Sequence, residues 1–225
     1  MESRQGTNLL SALPGPVASQ LFAGATLVKL SADKVLFMAG DAGNGCYRVE
    51  QGLLKVSMVS PAGTERILAF LGPGAIVGEL SIIDGLPRSA SVAALRDSEL
   101  SFVSKSAFEE CTKKFPDVYK YLVGVLAARL RETDDVIAAA SFLPLKGRVA
   151  VTMLDLAEHF GHDVGAGRIV IRQKITQSDL AAMAGIAREN VSRILNDWKR
   201  RNLVSRLSGY YCIENRAVLE EEVDL

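Results

Sequence analysis

The chain has 225 residues, 48% hydrophobic and 23% charged, and its 26 Lys and Arg balance 26 Asp and Glu to a net charge of zero. Such a length buries a full core in one large domain or two modest ones, and neutrality excludes a generally basic coat for nucleic acid while leaving local patches open. No apolar run spans a bilayer, and three scattered cysteines (Cys46, Cys111, Cys212) give no disulfide framework, zinc site or iron–sulfur motif. The N-terminal stretch LLSALPGPVASQLF is broken by Pro14, Gly15 and Pro16 and lacks a clean signal core, so a cytoplasmic protein without membrane contact is expected. His159 and His162, the only histidines, flank Gly161 near a helix end, where a surface role fits better than metal ligation.

Residues 24 to 104 read as short strands: ATLVKL, KVLFMA, CYRVEQ, LLKVSMV, RILAFL, SASVAAL and ELSFVS, separated by AGDAGNG, EQG, SPAG, LGPG and DGLP. Strands at roughly ten-residue spacing with glycine turns between them predict an all-β sandwich or barrel. Within it, CYRVEQG followed by LLKVSMV predicts a hairpin. The stretch GELSIIDGLPRSA, residues 78–90, stands out, because Glu79 opens a short apolar run and Arg88 follows a Gly-Leu-Pro turn.

The character changes near residue 105. SKSAFEECTKKF carries a Ser cap and helical composition, and Pro116 opens a longer helix to about Ala140. Along it Tyr119, Leu122, Leu126, Arg129, Thr133, Val136 and Ala140 recur at alternating spacings of 3 and 4, a heptad seam. A seam of this kind predicts a twofold dimer with a second copy, the alternative being packing on the chain's own β region. Arg129 and Thr133 favour the dimer, since polar groups in an apolar seam need a partner chain or a ligand. Pro144 marks a hinge, after which GRVAVTMLDLAEHF predicts an amphipathic helix and GRIVI a strand.

ITQSDLAAMAGIARENVSRILNDWKRRNLVSRL, residues 175–207, reads as two helices about a tight turn. Thr176 caps the first helix and Gly185 ends it, because glycine takes the left-handed conformation cheaply. The second begins near Arg188 and buries Val191, Ile194, Leu195 and Trp198, leaving Arg188, Glu189, Ser192 and Arg193 on the opposite face. This is the helix-turn-helix arrangement, whose second helix enters the major groove. Residues 174–206 hold seven Lys and Arg against three Asp and Glu, a local footprint suited to phosphates, the alternative being a solvated basic face. NLVSRL and GYYCI then predict a hairpin turning at Ser208-Gly209, a wing with Arg206 as a phosphate contact.

These parts, in this order, resemble the cyclic-AMP receptor protein and fumarate–nitrate regulator (CRP/FNR) family of bacterial transcription factors over nearly the whole chain after residue 20. GELSIIDGLPRSA resembles the family's phosphate-binding cassette, ARLRETDDVIAAASFLPLKGRVA its dimer helix and hinge, and ITQSDLAAMAGIARENVSRIL its helix-turn-helix with the R-E-x-x-x-R recognition pattern. The resemblance implies an α+β protein with an N-terminal β jelly-roll over 1–114, a dimerisation helix over 115–140, a hinge over 141–146 and a winged helix-turn-helix domain over 147–225.

It further implies an allosteric effector, cyclic AMP or cyclic GMP, with no metal or haem. Arg88 and Ser89 would hold the phosphate, Glu79 the ribose hydroxyl, and Gly78 and Leu80 the close backbone approach, since the planar guanidinium suits phosphate. Arg129 would lie near the ligand and Thr133 near the purine amino group. Asp134 stands where the cyclic-AMP receptor pattern expects a serine from the second subunit, and an acceptor there suits guanine's N–H edge. Ala69 replaces a small polar residue.

On the DNA side the resemblance implies a homodimer, with Tyr119, Leu122, Leu126, Val136 and Ala140 at its interface. Arg188, Glu189 and Arg193 would read GTGA-like half-sites of a pseudopalindrome, with Thr176, Ser178, Ser192 and Arg206 as further double-stranded DNA contacts. RNA polymerase is the candidate protein partner. Two rivals stay open: a nucleotide-binding module acting on a protein, and a regulator that answers to another effector or to none. An enzyme is not expected, because no Ser/His/Asp set, metal motif or triphosphate loop occurs.

Overall fold

Two long strands organise the N-terminal half of the chain. In the computed structural model, which describes residues 15–223, β3 (Gly45–Val59) and β6 (Ser91–Ser104) pair antiparallel and each serves further partners along its length. β1 (Thr26–Leu30) and β2 (Val35–Phe37) pair with β6, while β4 (Glu65–Leu71) and β5 (Ile76–Val77) pair with β3. The expected hairpin at CYRVEQG/LLKVSMV does not form, because both pieces lie in the single strand β3. Gly52 has φ 98°, and the β3/β6 register shifts around it, so the glycine marks a bulge and not a chain reversal. A Cβ at Gly52 would sit 2.1 Å from Ser98 Oγ, so glycine also permits the close approach of β6. SASVAAL and ELSFVS likewise merge into β6.

Helices α1 (Gly15–Leu21), α3 (Lys105–Lys114) and α4 (Asp117–Phe142) contribute to a core with the β region, in which Leu21, Cys46, Ile76, Phe108, Val118 and Leu122 are buried. Ser104 caps α3, its side chain accepting from the Ala107 amide at 3.2 Å. A second core, with Val49, Leu54, Val92 and Leu100, lies between the strands. Leu122 corrects the expected dimer seam. It is 1% exposed and packed in the core of its own β region, so it cannot also face a partner. The apolar residues α4 leaves open are displaced by one position: Val123 and Leu130 are each 63% exposed and Ile137 57%, one heptad apart. Tyr119 and Val136 are exposed as well, and Leu126 and Ala140 half-buried.

Contacts divide the chain after Thr133, within α4. The C-terminal unit is built on α5 (Leu145–Phe160), whose Val149, Met153 and Leu156 are buried. Around it stand α6 (Gln177–Ala184), α7 (Arg188–Arg200), α8 (Arg216–Glu221) and a four-stranded sheet. The sheet order is β7 (Gly161–Asp163), β8 (Ile169–Ile171), β10 (Tyr210–Ile213), β9 (Val204–Leu207), all antiparallel. Among the described residues no helix is long and apolar enough to cross a membrane.

Candidate functional site: an effector pocket and a nucleic-acid interface

The stretch 78–90 folds into a glycine turn, a short helix and a loop. Gly78 follows β5 at φ 83°, and Glu79 precedes the four-residue helix α2 (Leu80–Ile83). Both charges that made the stretch stand out are buried, Glu79 to 1% exposure and Arg88 to 4%. They do not neutralise each other directly. Arg88 donates from Nη1 to the Gly78 carbonyl at 2.7 Å and from Nη2 to the Gly45 carbonyl at 2.9 Å, and its guanidinium stacks 4.3 Å from the centre of the Phe37 ring. Glu79 Oε1 instead accepts from Arg129 Nη1, and Arg129 Nη2 donates to the Ile76 carbonyl. A Cβ on Gly78 would lie 2.4 Å from Arg88 Nη1, so only glycine lets the backbone sit against the guanidinium.

Burial sets the electrostatics here. It lowers the Arg88 guanidinium from its ordinary value, an effect partly offset by Tyr47, Cys46 and Glu79. The Cys46 thiol, also buried beside these charges, is pushed up to about 12, first by burial and then by Glu79. Arg88 Nε and Glu79 Oε2 are buried without a hydrogen-bond partner. One is a donor suited to an anion, the other an acceptor suited to a hydroxyl. A cyclic nucleotide presents both complements, so the residues present fit it.

The other expected effector residues differ in exposure. Leu80 is half-buried and Ser89 exposed. Thr133, one turn beyond Arg129, is exposed and donates to the Arg129 carbonyl at 2.9 Å; Asp134 is also exposed. Phe37 and the carbonyls of Gly45 and Ile76 were not foreseen. Carbonyl acceptors leave no trace in side-chain identity, and Phe37 comes from a strand distant in sequence.

The second site is built on α6 and α7. Thr176 and Asp179 form a capping box: the Asp179 amide donates to Thr176 Oγ1 at 3.0 Å, and the Thr176 amide to Asp179 Oδ2 at 2.8 Å. Gly185 ends α6 with φ 64°, as its position predicts. On α7, Val191, Leu195 and Trp198 are buried while Arg188, Glu189 and Arg193 are exposed and Ser192 is half-buried. β9 and β10 form the expected wing, turning at Ser208 (φ 51°) and Gly209 (φ 86°). A cleft of about 420 Å³ opens between wing and helices, lined by Lys174, Thr176, Ser178, Arg188, Arg206 and Gly209 among others. Arg206 stacks 4.1 Å from the Tyr211 ring centre and donates to the carbonyls of Gly209 (3.2 Å) and Ile175 (3.5 Å). Lys174 and Gln177 were not foreseen as lining; both flank the cap that drew attention to Thr176.

Comparison with known proteins matches both halves. A family model described as "Cyclic nucleotide-binding domain" matches residues 27–115, and one described as "Crp-like helix-turn-helix domain" matches residues 147–222. A cyclic AMP receptor protein from Thermus thermophilus is 35% identical over 188 residues, covering 84% of this chain and 83% of its own. The chain belongs to the CRP/FNR family of transcription regulators. A CRP-like cAMP-activated global transcriptional regulator from Mycobacterium tuberculosis is 33% identical over 174 residues, 77% of each chain. Among solved structures, a CRP/FNR-family transcriptional regulator from T. thermophilus superposes with a TM-score of 0.74 at 26% identity, covering 89% of this chain and 99% of that one. As a CRP/FNR protein, the chain is a DNA-binding transcription regulator with a cyclic-nucleotide-binding domain.

Proposed function

We propose that this CRP/FNR protein acts in the cytoplasm as a homodimer whose DNA binding is set by cyclic AMP or cyclic GMP. The observation that carries the effector reading is the pair of buried groups without hydrogen-bond partners, Arg88 Nε and Glu79 Oε2, both in the stretch 78–90. Arg88 with Ser89 holds the phosphate, Glu79 the ribose hydroxyl, and Thr133 and Asp134 the base, with Arg129 orienting Glu79. No group of His, Cys, Asp or Glu suited to a metal occurs among the described residues, and none is needed for this role.

The dimer forms through α4 on Val123, Leu130 and Ile137 with Leu126, Thr133 and Ala140, a continuous heptad surface. Residues 141–146 act as the hinge to the DNA-binding domain. Arg188, Glu189 and Arg193 read GTGA-like half-sites, Thr176, Ser178, Ser192 and Arg206 support the phosphate contacts, and RNA polymerase is the protein partner. The cleft with Lys174, Arg188 and Arg206 supports this reading.

One observation favours a second reading. Two backbone carbonyls and Arg129 already satisfy much of Arg88 and Glu79, as a regulator with another effector or none would require. Titration calorimetry with cyclic AMP and cyclic GMP decides between them. Micromolar binding of one nucleotide, abolished in Arg88→Ala, supports the proposal; no heat from either selects the second reading.

A further inference from the structure

The most heavily engaged buried carboxylate of the C-terminal unit lies outside the cleft lined by Lys174, Arg188 and Arg206. Glu222, the residue after α8, is 1% exposed. Its Oε2 accepts from Lys146 Nζ at 2.8 Å and from the Trp198 indole Nε1 at 3.1 Å, and its Oε1 pairs with Arg201 Nη1 at 2.5 Å. Burial alone raises its pKa, but the bonds from Lys146, Trp198 and Arg201 outweigh burial and hold the carboxyl below the usual range. Lys146 lies in the first turn of α5 and is the last residue of the predicted hinge. Trp198 and Arg201 lie in the last turn and C-cap of α7, the recognition helix. Lys146 also reaches Asp197 of α7 at 3.2 Å.

A second, independent feature brings the same segment to the same place. A Cβ on Gly147 would stand 2.6 Å from the Val223 carbonyl oxygen, so glycine in the first turn of α5 admits the C-terminal backbone. Leu219 of α8 is fully buried and anchors the helix in the core of the unit.

We propose that Glu222 is a positioning residue for DNA recognition: with α8 it latches the end of the recognition helix to the first turn of α5. The latch touches no base. It fixes the angle at which Arg188, Glu189 and Arg193 are presented, and so acts on affinity without altering which bases are preferred. Removing the charge leaves Lys146 and Arg201 facing a neutral group and loosens α7 at its C-terminal end. This inference rests on the reading of α7 as the helix that enters DNA.

The test uses the full-length protein and a palindromic duplex built from two inverted GTGA half-sites. Trp198 is the only tryptophan, so its indole N–H gives one nitrogen-15 cross-peak that reports the bond to Glu222. In the wild type that proton should exchange slowly with solvent. In Glu222→Gln the peak should shift, DNA affinity should fall about tenfold, and the ranking of base-substituted duplexes and the nucleotide affinity should stay unchanged. Gly147→Ala, which leaves every charge in place, should reproduce the loss by pushing on Val223.

A wild-type indole proton exchanging as fast as a solvated one overturns the latch even if neither variant folds. So does Glu222→Gln with unchanged affinity. Wild-type protein that ignores the GTGA duplex refutes the half-site reading instead. The affinity comparison then moves to random-sequence duplex at low salt, where an unchanged Glu222→Gln overturns the latch.

Discussion

Gly78→Ala separates backbone strain from displacement of the Arg88 guanidinium. Gly78 has φ 83°, where an L-residue costs about 1–2 kcal/mol, and the new Cβ would stand 2.4 Å from Arg88 Nη1. The guanidinium must move, losing its 2.7 Å bond to the Gly78 carbonyl; a hydrogen bond to a charged group is worth about 1.5–3 kcal/mol. Gly63 supplies the control, having φ 80° but nothing within 4 Å of its Cβ. Both variants should lower the melting temperature of the N-terminal domain through strain. Only Gly78→Ala should also weaken cyclic-nucleotide binding in calorimetry, by about 10- to 150-fold on that scale. Equal nucleotide affinities in the two variants would show that Arg88 placement against Gly78 does not matter, and the pocket assignment would fall.

Leu130→Lys should yield a monomer by sedimentation with little change in melting temperature, while Leu122→Ala should destabilise the fold by about 2–5 kcal/mol and leave the folded dimer intact. The reverse pattern would restore Leu122 to the interface. Arg193→Ala should relax discrimination at one guanine of the half-site by about 1–3 kcal/mol, read from competition with base-substituted duplexes. Burial raises Cys46 from its ordinary 9.0 to about 12, so the folded state holds its proton where the unfolded state loses it. The stability this contributes is fully present below pH 9.0 and is lost as pH rises toward about 12. Cys46→Ala should flatten that alkaline loss in denaturant titrations.

The helix-turn-helix was legible because its punctuation is local. Thr176 with Asp179 and Gly185 fix both ends of α6 within a few residues, and tertiary packing has little to override. Gly52 misled for the opposite reason: a positive φ serves a turn and a bulge equally well, and only pairing of both flanks with β6 distinguishes them. On α4, apolar residues occupy two adjacent helical phases, Leu122 and Val123, then Val136 and Ile137. Periodicity cannot tell which phase faces the chain's own core, and contact with Phe108 and Val118 is what assigns Leu122 inward. In the pocket, Glu79 and Arg88 were visible as charges in a β region. Their partners were not, since a carbonyl at Gly45, Gly78 or Ile76 looks the same whatever residue carries it.

Those carbonyl partners bear on how the proposed switch would work. Burying Glu79 and Arg88 with no partners would destabilise the domain severely, yet the protein supplies enough hydrogen bonds to keep both charges inside without a ligand. The two buried atoms left with no partner at all are Arg88 Nε and Glu79 Oε2, each costing about 1–3 kcal/mol when buried alone. On the proposed reading, a nucleotide that fills both would recover that cost and so stabilise the N-terminal domain as it binds. Arg129 is the element that can pass this on, because it holds Glu79 from α4, the helix that also carries the exposed heptad surface. If nucleotide and DNA are coupled through that helix, linkage requires DNA to tighten nucleotide binding by the same factor that nucleotide tightens DNA binding. Substituting Arg129 should then shrink both factors together, and a change in only one of them would place the coupling elsewhere.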